Sequence, residues 1–178
     1  MQTDKFTALV RNAVMVAQND ALAANHQKVT AMHLLRALLA DDNVTLRSLV
    51  GRAGGDIDGV SAALDKSLAA IPAVTGSGAD QLQLDIDLAR ILQAAEGEAK
   101  ILGDSFLAVD ALLLAMVKSK GEVGRLLSGA GLDAARVSAA IADMRKGRTA
   151  DSDAAEDSYE ALSKFTTDRK STRLNSSH

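Results

Sequence analysis

Apolar side chains recur along most of this chain at three- and four-residue intervals, the spacing that gathers them on one face of an α-helix. In the first such segment Phe6, Leu9, Val10, Ala13 and Ala17 share a face; Thr3 or Asp4 is expected to cap its start and Asn25 to stop it. A second helix is expected after Thr30, carrying Leu34, Leu35, Leu38 and Leu39, and a third around residues 46–52, ending at Gly54 and Gly55. Asp56 or Asp58 then caps a fourth, closed by Pro72, the chain's one proline. Beyond the Gly/Ser stretch "TGSGADQ" the pattern restarts, with Leu88, Ile91, Leu92, Ala95 and Ala99 as its apolar face.

The restart is a repeat. "TAMHLLRAL" at 30–38 lies against "AVDALLLAM" at 108–116 at an offset of 78 residues, and "LVGRAGGDIDGVSAAL" at 49–64 against "LLSGAGLDAARVSAAI" at 126–141 at an offset of 77. Ordered matches at a nearly constant offset mark two homologous four-helix units, at about 4–72 and 84–146. Neither is large enough for a comfortable core of its own. Each is therefore expected to cover the other's apolar face, giving an all-α, pseudo-twofold bundle.

Composition narrows the classes of function. Aromatics are 2% of the 178 residues and Cys is absent, which favours helices, removes disulfides and suits a reducing compartment. The net charge of −3, with no basic stripe and few stacking aromatics, argues against nucleic acid as a partner. No charged and apolar leader and no apolar run of about 18 residues occurs, so a soluble cytoplasmic protein with no membrane span is expected.

Enzymatic constellations are lacking. The glycine-rich stretches "RAGGDIDG" and "TGSGAD" have neither the Lys nor the preceding strand of a phosphate-binding loop, and no G-x-S-x-G nucleophile elbow is present. His26 and His33 straddle a helix start rather than sharing a helical face, and His178 is remote in sequence, so no metal site is expected. Carboxylate pairs such as Glu96 with Glu98, or Asp56 with Asp58, read as solvated faces and caps. No catalytic residue is assigned.

The segments "KFTALVRNAVMVAQNDALAANHQKVTAMHLLRALL", "GSGADQL", "GDSFLAVDALLLAM" and "RKGRTADSDAAEDSYEALSKFTTD" resemble the N-terminal Clp repeat domain and following linker of the ClpB family of bacterial Hsp100 disaggregases. The resemblance covers residues 1–167. It implies a Clp repeat domain over 1–147, with 148–167 a linker and the start of a helix leading to AAA+ ATPase modules. ATP and Mg would belong to those modules, so no cofactor is expected here. The implied function is engagement of exposed apolar segments of unfolded or aggregated polypeptides. An adaptor-docking N domain of a Clp protease unfoldase of the ClpA or ClpC type is the alternative. The resemblance also implies a homohexamer for the full-length protein, while this chain alone is expected to be monomeric and, within the longer protein, to contact an AAA+ module.

The resemblance also singles out residues. A Thr in the first helix and two acidic residues around the G-D-x-F segment are associated with chaperone function in the family, and the matching positions are Thr7, Asp104 and Asp110. Plainer roles fit them too: Thr7 as an early-helix residue bonding locally, Asp104 as a turn cap, Asp110 as a first-turn charge. Family groove residues fall near Ala94 and Glu98, small and charged here, so a client groove is expected to be shallower or shifted toward Phe106, Leu107 and Ala111. The stretch "GRTADSDAAED" at 147–157 reads by composition as a flexible tether. A helix from 154 to 165, with Tyr159, Leu162 and Phe165 as its apolar contacts, is expected to fray. Residues 168–178, "DRKSTRLNSSH", have no apolar period and match one reading frame of a common sequencing-library adapter beginning GATCGGAAGAGC; they are read as an artefactual tail without function.

Overall fold

The computed structural model describes residues 4–40, 43–75, 81–157 and 159. Thr3, most of the "GSGADQL" segment, Leu162, Phe165 and the tail at 168–178 lie outside the described residues. The first repeat contributes α1 (Ala8–Ala23), β1 (Lys28–Val29), α2 (Ala31–Leu38), α3 (Val44–Arg52) and α4 (Ile57–Ala69). The second contributes β2 (Gln83–Leu84), α5 (Ile86–Ile101), α6 (Val109–Lys118), α7 (Glu122–Gly129) and α8 (Ala134–Arg145). The chain is all-α apart from short strand pairings, as the apolar period predicts.

Those pairings hold the two repeats together. β1 runs parallel to β2, with Lys28 opposite Gln83 and Val29 opposite Leu84, and a separate parallel bridge joins Phe6 to Leu107. The 78-residue offset carries Phe6 onto Leu84 and Val29 onto Leu107. The two contacts are thus one contact made twice: the segment entering the first helix of each repeat pairs with the segment entering the second helix of the other. Backbone groups that would lack partners in either half alone are satisfied across the seam, with Leu107 N–H donating to Lys5 O (2.7 Å), Thr7 N–H to Leu107 O (3.0 Å) and Asp85 N–H to Val29 O (3.0 Å).

The helices obey the same symmetry. α3 packs on α8 and α4 on α7, again reciprocally, while α1 lies on α2 and α5 on α6 within each unit. Leu35, Leu38, Leu46, Leu49 and Leu64 from one repeat and Leu112, Leu113, Met116 and Leu127 from the other are essentially solvent-free in one continuous core. Each such side chain contributes about 1.5–3 kcal/mol relative to exposure. Near the pseudo-axis Gly54 and Gly131, 77 residues apart, both have positive φ (82° and 92°), and a Cβ on Gly131 would stand 3.5 Å from Gly54 O. The left-handed backbone accounts for glycine at both positions.

The start of α1 differs from the expectation. Its N-cap is Thr7, whose Oγ1 accepts from Val10 N–H at 3.4 Å, rather than Thr3 or Asp4. Residues 5–7 are instead engaged in the bridge to Leu107, which delays the helix. Asn25 stops α1 as predicted, in the left-handed conformation at φ 60°.

The glycines give a paired test. A Cβ on Gly124 in α7 would fall 1.9 Å from Ser119 O, whereas one on Gly97 in α5 would meet nothing within 4 Å. Gly124→Ala is predicted to cost at least about 2 kcal/mol, lowering Tm by about 5 °C or more, and Gly97→Ala to add about 0.5–1 kcal/mol. Thermal unfolding of the two variants followed by circular dichroism checks both signs.

Candidate functional site

The three polar residues singled out by resemblance converge in the interior. Asp110 lies in the first turn of α6 and Asp104 in the turn leading to it, and both carboxylates grip Arg145 at the end of α8. Arg145 Nε and Nη2 donate to Asp110 Oδ2 and Oδ1 at 2.6 and 2.7 Å, and Nη1 and Nη2 to Asp104 Oδ1 and Oδ2 at 2.6 and 2.8 Å. The two carboxylate side chains are fully buried and that of Arg145 is 3% exposed. Burial opposes the Arg145 charge, but the hydrogen bonds to Asp110 and Asp104 outweigh it and hold the guanidinium further above its ordinary range.

Thr7 joins this centre through a residue that sequence reasoning did not single out. Its Oγ1 donates to Glu156 Oε2 at 2.6 Å, and the same oxygen accepts from Val109 N–H at 3.0 Å. Burial pushes the Glu156 pKa up, its hydrogen bonds to Thr7, its own backbone and Val109 pull the other way, and Asp110 adds to the rise. The Tyr159 ring closes the cluster, with the guanidinium carbons of Arg145 and Arg148 at 5.1 and 5.5 Å from its centroid.

The stretch read as a tether is therefore packed against the domain as far as Tyr159. Ala150 and Tyr159 are buried, Ser105 and Phe106 N–H both donate to Ala150 O at 2.9 Å, and Ala8 N–H donates to Asp153 O at 2.7 Å. Its polar composition suggested solvation; the polar groups find partners on the domain instead. In the segment expected to form a helix at 154–165, Ala155, Glu156 and Tyr159 are buried against the domain.

Of the apolar groove candidates, Leu107 and Ala111 are buried in the core, and Phe106 is half-buried beside a depression of about 350 Å³ shared with Lys5, Glu96 and Lys100. A larger groove of about 740 Å³ opens on the side of Ala94, between the start of α2, α5 and the α6–α7 connection. Ile91, Ala94, Ala115 and Val123 form its floor, with Asp87, Arg90, Lys118, Lys120, Glu122 and Arg125 around the rim. Small Ala94 leaves this space open rather than closing it, and Glu98, the other family position, is paired with Lys118 at 2.8 Å.

The structure also brings together a pair that sequence spacing kept apart. His26 Nδ1 lies 2.8 Å from His33 Nε2, and Thr30 N–H donates to His33 Nδ1 at 2.9 Å as part of the α2 capping box. With Nδ1 an acceptor, His33 carries its proton on Nε2 and gives it to His26. A second proton on either ring would face a donor. Burial, then His26, lower the His33 pKa from 6.5 to about 4, against a small opposing effect of Asp20. Among the described residues no group of three or more His, Cys, Asp and Glu is arranged to hold a metal ion.

A His whose folded-state pKa is depressed stabilises the fold fully above 6.5, and that contribution is lost as pH falls toward about 4. NMR titration of the His33 ring is predicted to show a midpoint near 4, with the urea midpoint of the protein falling across the same window. A His33 midpoint near 6.5 would contradict this geometry.

With the geometry established, the comparisons with known proteins are direct. Residues 5–130 match the Clp repeat (R) N-terminal domain family. A chaperone protein ClpB from Rhodopseudomonas palustris is 41% identical over 169 residues, 94% of this chain and 19% of that relative. The chain thus spans about a fifth of the length of the curated relatives it matches. In structure it is similar to the Hsp104 N-terminal domain from Candida albicans (TM-score 0.74, 20% identity, 85% of this chain and 99% of the other). It is also similar to a ClpV N-domain in complex with a VipB peptide (TM-score 0.63, 20% identity, 78% and 85%). Among the described residues no helix is long and apolar enough to cross a membrane. The chain belongs to the Clp repeat (R) N-terminal domain family, and its counterpart is the N-terminal region of ClpB chaperones.

Proposed function

We propose that this domain captures exposed apolar segments of unfolded or aggregated polypeptides for an ATP-dependent disaggregase, in the cytoplasm, and that the groove beside Ala94 receives them. The observation that carries the reading is that groove: an apolar floor of Ile91, Ala94, Ala115 and Val123 at the seam of the two repeats, with mixed charge around it. Non-directional apolar burial tolerates many sequences, and a charged rim keeps the groove hydrated when empty. The peptide bound by the similar ClpV N-domain supports peptide capture by this fold. Thr7, Asp110, Leu107 and Ala111 serve such a function from the interior, by positioning the helices, as does the buried carboxylate of Asp104; Phe106 offers a partly open apolar side chain. Nucleotide chemistry and hexamer assembly belong, in this reading, to modules of the longer relatives.

A second reading, docking of a defined adaptor peptide, is favoured by the density of charge on the rim, four basic and three acidic side chains counting Asp85. Salt distinguishes the two, because charge-directed docking weakens steeply with ionic strength and apolar capture does not.

The test is fluorescence anisotropy with a permanently unfolded model protein. Ala94→Arg is predicted to weaken binding by about tenfold, equivalent to about 1.4 kcal/mol, with no change in Tm. Undiminished affinity in that variant removes the groove from consideration.

A further inference from the structure

We propose that residues 148–157, with Tyr159, form a strap that docks on, and lifts as a unit from, the face built by Thr7, Asp104 and Asp110. These three residues would then set how the domain is held against the chain that follows rather than touch a client.

The polar contacts that fix the strap fall on these residues and on the backbone beside them. Ala150 N–H donates to Asp104 Oδ1 at 2.8 Å while Ala150 O accepts from Ser105 and Phe106 N–H. Asp153 O accepts from Ala8 N–H, and Glu156 accepts from Thr7 Oγ1 and Val109 N–H. Among the described residues its buried apolar groups are Ala150, Ala155 and the bulky Tyr159, three anchors against the many leucines of the helices beneath. A segment held by few apolar contacts opens at lower cost than the core.

Docking also carries its own opposition. Among the described residues Glu156 Oε1 and Tyr159 Oη are buried without a hydrogen-bond partner, and both regain water when the strap lifts. Glu156 enters a site that already holds two carboxylates on one guanidinium: Asp110 at the head of α6 and Asp104 in the turn before it, with Arg145 from α8 between them. Thr7 faces it from α1, and Tyr159, with Arg148 over its ring, from the strap. Burial raises the Glu156 pKa, so docking takes up a proton that release gives back. The sign follows: docking strengthens as pH falls toward 4.5 and weakens as pH rises through the raised value.

The symmetry of the fold supports a distinct role for this segment. At the matching place in the first repeat, Val74 N–H donates to Asn25 O at 2.7 Å as the chain passes on to β2, and there the next strand locks it to β1. The strap makes the equivalent passage past the second repeat, but its lock is the Glu156–Thr7 contact instead of a strand pair.

Hydrogen exchange on the whole 178-residue chain tests this. The Ala8, Ser105, Phe106 and Ala150 amides report docking, since their partners lie across the strap contact, and Leu112 in α6 reports the core. The four are predicted to exchange together, well before Leu112. After correction for intrinsic rates, their protection should be greater at about pH 5.5 than at about pH 8. Glu156→Ala should accelerate all four by about tenfold and leave Leu112 unchanged. Glu156→Gln, which retains an acceptor for Thr7 and cannot ionise, should keep their protection and abolish its pH dependence. Exchange of the four amides in step with Leu112, or a pH dependence that survives Glu156→Gln, would overturn the proposal.

Discussion

Reciprocal closure is the constraint on which this domain rests. Each repeat has its own helices but leaves backbone groups unpaired where the chain enters its first and second helices, and the other repeat supplies the partners. Phe6 with Leu107 and Leu84 with Val29 are the two copies of that exchange. The arrangement orders the entry segments of the helices that bear the polar centre and of those that line the groove. Burial of the leucine faces then supplies the favourable free energy, while the paired entries fix the register at which the faces meet.

The two repeats depart from their symmetry at one pair of equivalent turns. His26 and Asp104 occupy equivalent positions, each following a residue with positive φ, Asn25 or Gly103, and each donating its N–H to the carbonyl of an equivalent alanine, Ala21 or Ala99. In the first repeat this turn holds His26 against His33, the residue that caps α2. In the second it holds a carboxylate that reaches Arg145, and through the same centre the strap. One scaffold thus holds a histidine pair at one turn and, at the other, a buried ion cluster joined to the segment that follows. The groove at Ala94 depends on the seam more than on either turn.

Much of the architecture is legible in the amino-acid sequence. Helix period, the glycine stops and the 77- and 78-residue offsets point to an all-α double repeat, because those signals are local or come from comparing the chain with itself. The strands are not legible: two residues each are too few for a period-2 pattern to register. The N-cap moves from Thr3 or Asp4 to Thr7 because residues 5–7 are used by a partner about 100 residues away. The polar centre is only half visible. Thr7, Asp104 and Asp110 can be placed by resemblance, but Glu156 meets Thr7 across 149 residues of sequence, a pairing no local pattern carries. Arg145 does leave one signal. It falls where the first repeat has Leu68, a residue packed against the core, and a guanidinium at a core-facing register position calls for buried carboxylates. Residues 147–157 read as a tether because composition reports solubility and not whether partners stand within reach.

Splitting the chain tests mutual closure most directly. Residues 1–75 and 76–178, expressed separately, are predicted to show weak helical circular dichroism alone and to regain the helicity and cooperative unfolding of the intact domain when mixed in equal amounts. Two halves that each fold cooperatively as monomers and ignore one another would contradict the account.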